Sequence, residues 1–124
     1  MKNVISTTEA PGAIGPYSQG IDLGNIVFCS GQIPVNPATG LMPEGITAQT
    51  EQAIANVKAL LKSIGLGLEN VVKTTVFLAD IADFAAMNEV YASHFAEPYP
   101  ARSAVAVKDL PKGAMVEVEV IAAR

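Results

Sequence analysis

Between Thr47 and Ile64 apolar side chains recur at Ile54, Val57, Leu61 and Ile64, in steps of three and four, and Ala53 and Leu60 widen the stripe. Steps of that size place the residues on one face of an α-helix, so the segment predicts an amphipathic helix with one buried side. Thr47 suits its N-cap, Glu51 suits the positive N-terminal end, and Gly65 can adopt the left-handed conformation that closes it. A second helix is predicted from a cap at Asp80 to about Phe95. On it Phe84, Tyr91 and Phe95 share a stripe that also contains the amide of Asn88. Residues 25–33 and Val71 to Leu78 have strand chemistry instead. The first is interrupted at Gly31, where a bulge or a close-approaching group is natural, and the second is rich in Val and Thr and apolar on much of both faces.

Two further strands are predicted at Ser103 to Val107 and Ala114 to Ala122, joined by Lys-Asp-Leu-Pro-Lys-Gly, and their short separation suggests an antiparallel hairpin. A turn centred between Leu110 and Pro111 sets Arg102 opposite Glu119, and a turn one residue earlier sets it opposite Glu117. Either register puts the guanidinium and both carboxylates on one sheet face, whereas a register of the other parity separates them. Residues 10–20 are dense in Gly and Pro and form a shaped loop, and Pro34 to Gly45 is again rich in turn residues. The order of elements favours an α+β two-layer sandwich: one mixed sheet with two helices on one face. Along the last strand Ala114, Val116, Val118 and Val120 occupy one side and Met115, Glu117, Glu119 and Ile121 the other. Helices cover only one of these sides, and a second copy packing sheet to sheet would cover the other.

Composition sharpens that expectation. The 124 residues read as a single domain, 1–124, without linker or repeat. Charged residues make up 16 % against roughly 25 % in an ordinary soluble domain, and apolar residues 50 %, with a mean hydropathy of +0.34. So few charges cover a small globule poorly, and part of its outside is expected to be a subunit interface in a cyclic homo-oligomer. The net charge of −4, with eight scattered basic residues, argues against a nucleic-acid surface. No apolar run is long enough for a membrane helix, and the N-terminus has no secretory pattern, so a cytoplasmic location is expected. One cysteine and one histidine allow no internal disulfide and no structural zinc site, and no metal is expected.

Few residues remain for chemistry, since the chain lacks a Gly-x-Ser-x-Gly elbow, a Cys and His pair with an orienting third group, and a phosphate loop. Arg102 follows Tyr99-Pro100-Ala101 at a strand entrance, where a rigid turn aims it. Its planar fork suits a small carboxylic acid held through two hydrogen bonds; the alternative is a cross-strand ion pair with Glu117 or Glu119. Asn88 is either a core amide satisfied by loop backbone or a polar member of a site. His94 reads as a partly exposed helix residue, and Cys29 as a small buried hydrophobe, because no cation lies near it in sequence.

Six segments in order resemble the Rid family of reactive intermediate deaminases. They are Gly12-Ala13-Ile14-Gly15-Pro16-Tyr17-Ser18-Gln19-Gly20, Ser30-Gly31-Gln32-Ile33-Pro34, Val72-Lys73-Thr74-Thr75-Val76-Phe77-Leu78, Met87-Asn88-Glu89-Val90-Tyr91, Pro100-Ala101-Arg102-Ser103, and the stretch from Leu110 to Glu119. The resemblance implies a chorismate-mutase-like α+β fold, a homotrimer with active sites between adjacent subunits, and hydrolysis of 2-imino acids such as 2-iminobutanoate and 2-iminopropanoate to 2-oxo acids and ammonia, without a cofactor. It also implies that Arg102 binds the substrate carboxylate, that Glu117 holds or activates water, and that Tyr17, Ser30, Gly31 and Asn88 line or support the cleft. Many members carry Cys two residues after the arginine; Ala104 stands there in this chain, and its backbone N–H is expected to be the useful group. A non-catalytic protein that binds 2-oxo acids or amino-acid-derived ligands in the same cleft is the alternative.

Overall fold

The computed structural model describes residues 2–124. Six strands form one mixed sheet in the order β1-β2-β3-β6-β4-β5, with β1 at Asn3–Ile5, β2 at Gly20–Asp22, β3 at Ile26–Gln32, β4 at Val71–Leu78, β5 at Ala101–Ala106 and β6 at Val116–Ala123. Two helices, α1 (Ile46–Lys62) and α2 (Phe84–His94), pack against each other and cover one face. This is the two-layer α+β arrangement expected. None of the described helices is long and apolar enough to cross a membrane.

The stripe on α1 is buried at Ala53, Ile54, Val57, Leu60 and Leu61, and it packs on Val116, Val118 and Val120 of β6 and Val76 and Leu78 of β4 within one core. Gly65 closes the helix in the left-handed region (φ 77°), with Leu66 N–H donating to Leu61 O at 2.9 Å. The other end differs from expectation. The helix begins at Ile46 after Gly45, which has no side chain to cap it, so Thr47 lies inside the first turn. Glu51 lies beyond the reach of the helix terminus and instead pairs with His94 of α2 at 2.8 Å. Asp80 does cap, accepting from Ala82 N–H at 2.9 Å, and starts a short tight turn, Ile81–Asp83, that feeds α2.

β1 and β2 were not evident in the sequence, because three residues carry too little alternation to register as strands. The predicted terminal hairpin does not form. β4, α2 and β5 make a strand-helix-strand unit, so β5 lies parallel to β4 at the sheet edge. β6 then pairs antiparallel on the far side of β4, between β4 and β3. The face assignment changes with it. Arg102 stands opposite Thr74 and Glu117 opposite Phe77, three residues apart on β4, so the two side chains leave the sheet on opposite faces. Thr74 is buried on the helix side, whereas Phe77 lies on the uncovered side with Phe28, Val105, Ile121, Glu117 and Glu119. Phe28 and Val105 are each 45 % exposed there, an apolar surface that a lone protomer leaves wet.

Candidate active site

On α2 the spacing of Phe84, Asn88 and Tyr91 gives one face on which an amide lies between two aromatic rings. Arg102, the second residue of edge strand β5, reaches over that face. Its guanidinium carbon is 4.6 Å from the Tyr91 ring centroid and 5.5 Å from that of Phe84, and Nη1 donates to Asn88 Oδ1 at 2.6 Å. The shelf beneath is rigid: Tyr91 Oη and Thr74 Oγ1 are 2.8 Å apart in the core, and Phe95 stacks on Tyr91 at 4.4 Å. Burial pushes the Tyr91 hydroxyl above its ordinary pKa, against smaller opposing effects of Thr74 and Arg102, so it stays protonated.

Among the described residues no carboxylate pairs with Arg102, and Asn88 serves the guanidinium rather than loop backbone. Neither the cross-strand ion pair nor the backbone-satisfied amide describes this site. Nη2 and Nε face no protein acceptor among the described residues, leaving a donor edge for a guest. Val107 N–H donates to Leu78 O at 2.8 Å, so the alternation of the ladder turns the Ala104 N–H away from β4, toward the same open edge.

A second cluster forms on the other face. The β3 ladder breaks between Cys29 and Gln32, a bulge centred on the interruption that the sequence suggested. Gly31 there has no side chain, and the Glu117 carboxylate fills the space: a Cβ on Gly31 would lie 2.8 Å from Glu117 Cδ and Oε2. Desolvation raises the Glu117 pKa above its ordinary value, and the charge of Glu119 adds to this. A groove continues from Glu117 and Gly31 past Ile33 and Lys112 to Ile14 and Tyr17. Tyr17 is 53 % exposed, and its hydroxyl accepts from Ile14 N–H at 3.4 Å. The Ser30 hydroxyl is already committed to Ser18 O at 2.6 Å, which makes it a brace for the loop.

Gly31→Ala tests this close approach. The chain should fold with a melting temperature within a few degrees of the parent, because a flexible side-chain end gives way. The Glu117 carboxylate must move, and any chemistry that depends on its position should slow by roughly 100-fold, as misplacement by about 1 Å does elsewhere. Steady-state rates and a melting curve check it.

The residues singled out in the sequence therefore fall into two groups, Arg102, Asn88 and Ala104 in one, and Tyr17, Ser30, Gly31 and Glu117 in the other. Two strand spacings and three residues of rise separate Arg102 from Glu117, about 10 Å in each direction, and the sheet lies between their side chains. One small molecule does not reach both within one protomer. His94 bonds to neither group, with Nε2 2.8 Å from Glu51 and Nδ1 3.1 Å from Lys58 Nζ. Cys29 is buried, its thiol pushed up to about 11, which fits an inert core residue.

Comparison with known proteins gives the family. Residues 7–124 match the family model described as Endoribonuclease L-PSP. The 2-iminobutanoate/2-iminopropanoate deaminase of Escherichia coli (strain K12) is 50 % identical over 127 residues, spanning all of this chain and 99 % of the relative. The crystal structure of E. coli TdcF with bound serine superposes with a TM-score of 0.94 at 50 % identity, covering 99 % of each chain. RidA from an Antarctic Psychrobacter gives a TM-score of 0.95 at 47 % identity, covering 98 % of this chain and 99 % of that one. With the fold, the six ordered segments and full-length identity in agreement, the chain belongs to the Rid family.

Proposed function

We propose that this chain hydrolyses small 2-imino acids, such as 2-iminobutanoate and 2-iminopropanoate, to 2-oxo acids and ammonia. The cleft lies between protomers, where one copy supplies Arg102 and its neighbour supplies Glu117. One observation carries the reading: a guanidinium held flat by Tyr91 and Asn88, with no carboxylate of its own among the described residues. Kinship with 2-iminobutanoate/2-iminopropanoate deaminases supports it. The wet apolar face and the split between the two residue groups favour assembly, and a homotrimer is the form that the family resemblance suggests. A cytoplasmic setting suits substrates that arise from amino-acid metabolism.

In this reading the open edge of Arg102 holds the guest carboxylate through two hydrogen bonds and fixes its plane, with the Ala104 N–H beside it. Asn88 keeps the guanidinium turned. Water then bonds to C2 of the protonated imine while Glu117 takes its proton, and the π pair of the C=N bond retreats to nitrogen. Returned to nitrogen, that proton makes ammonia the leaving group. The C–N bond breaks with its electron pair on nitrogen, so ammonia leaves, the C=O bond forms, and the hydroxyl proton passes through Glu117 to the ammonia to give ammonium. A carboxyl with a raised pKa suits both transfers. No covalent protein intermediate and no cofactor enter. Tyr17 borders the groove, and Gly31 leaves room for the acid.

Binding without turnover is the second reading, favoured by a relative crystallised with serine. RNA cleavage, which the family description names, fits poorly with a groove lined by Glu117 next to Glu119 and with a net charge of −4. Imine generated in place by a threonine dehydratase decides between the first two. A shortened imine lifetime on adding the protein is expected, and a folded oligomer that leaves the lifetime unchanged overturns catalysis in favour of binding.

A further inference from the structure

The loop that brings Tyr17 to the groove has no helix or strand between β1 and β2 to hold it. Besides the buried Ala10 and the Ser30 brace, one buried polar side chain fastens it. Gln19, 5 % exposed, turns its amide back beneath the loop: Oε1 accepts from Thr7 N–H at 2.7 Å, and Nε2 donates to Thr7 O at 3.0 Å and Pro11 O at 2.8 Å, with Ala10 O at 3.4 Å. Both amide hydrogens and the amide oxygen are therefore in use. The main chain of Gln19 faces the other way. Its carbonyl accepts from Ser30 N–H at 2.9 Å, and Ser30 returns its hydroxyl to Ser18 O at 2.6 Å. The next residue on β3 is Gly31, against which the Glu117 carboxylate rests. One residue is thus bonded both to the loop that carries Tyr17 and to the bulge that seats Glu117.

We infer that Gln19 is a positioning residue: its amide sets the course of residues 7–18, and through Ser30 it sets the bulge beneath Glu117. The inference deepens the proposed imine hydrolysis and rests on it for its kinetic consequence. Removing the amide takes their partner from the Thr7 N–H and from the carbonyls of Thr7, Ala10 and Pro11, and the loop must move to find water. Displacing the water-holding half of the cleft by about 1 Å is enough to lower turnover by on the order of 100-fold. The carboxylate anchor of the same cleft belongs to the neighbouring copy, where its own Tyr91 and Asn88 hold it, and Gln19 does not touch it. The loss therefore falls on kcat and not on KM.

Two variants in the full-length protein test this. Gln19→Met keeps length and volume without hydrogen bonds. Gln19→Glu keeps the shape and the acceptor for Thr7 but turns an oxygen toward the carbonyls of Thr7 and Pro11. Both should lower kcat by roughly 10- to 100-fold with KM within about twofold of the parent, and amide hydrogen exchange should speed up in residues 7–18 while α1 and β4 keep their protection. Unchanged kcat with an unchanged exchange pattern overturns the inference. So does a loss of kcat, KM and protection across the whole chain together, which would mark a merely structural residue. If the parent itself fails to hydrolyse imine, the proposed function fails on its own. Exchange then decides the hold on the loop: loss confined to residues 7–18 supports it, and no loss overturns it.

Discussion

Arg102→Ala is expected to lose turnover by about three orders of magnitude while the chain folds and assembles as before. The side chain projects from an edge strand onto the outside of α2, so its removal opens no cavity in the core. What goes is a half-exposed contact with two rings and one amide, worth about 1 kcal/mol to the fold. The guest loses far more. Truncating one member of a desolvated, doubly hydrogen-bonded charge pair costs about 2–5 kcal/mol, and the orientation of C2 toward water goes with it. Arg102→Lys should recover little, because an ammonium attracts the carboxylate without fixing its plane. Initial rates with imine generated in place, alongside size and melting measurements, check both variants. Parent-like turnover in Arg102→Ala would remove the guanidinium from the reaction.

Glu117→Gln should lower kcat by about 100- to 10,000-fold, the range a positioned proton-transfer group supplies. The amide retains the shape that fits over Gly31 but can neither take nor return a proton. Its effect on stability runs the other way. Because burial raises the carboxyl pKa in the folded chain, the folded state binds this proton more readily than the unfolded one. Below the ordinary carboxylate range both states are protonated and the fold bears no penalty. As the pH rises through the elevated folded value, the ionised group in its dry setting opposes folding. Gln never ionises. The variant should therefore melt above the parent at neutral pH and converge with it below about pH 4. A variant that is inactive and more stable at neutral pH is the expected pairing, and melting curves across pH with rates at pH 7 measure it. Equal turnover would move the proton role to another group.

The elements that the sequence made legible are those whose pattern is long enough to be periodic. The α1 stripe, β4 with its stated ends and the interruption at Gly31 all follow from local spacing. β1 and β2 lie below that length. The terminal hairpin failed for a different reason: a short connection ordinarily joins neighbouring strands, but β5 was already committed to β4 through the helix that precedes it. That error carried the face assignment of Arg102 and Glu117 with it, since parity depends on the partner strand. Arg102 could be singled out by residue type alone, and among the described residues its fork has no carboxylate partner. Phe84 and Tyr91 were visible only as a core stripe, and their service as a shelf depends on where β5 ends up. Gln19 was hidden among loop residues. A glutamine in a Gly- and Pro-rich segment has no spacing rule, although an amide beside so many turns is a signal of backbone carbonyls needing donors.

The strand order also governs when this molecule becomes a molecule. β6 comes after the other five strands in sequence, yet it joins β3 on one side to β4 on the other. Until Val116–Ala123 arrives, β1-β2-β3 and β4-β5 are two ribbons with a gap between them, and the apolar faces of both helices look onto that gap. A nascent chain therefore waits for β6 before its halves can zip together, and a copy lacking β6 would be left with two open seams ready to grip another polypeptide.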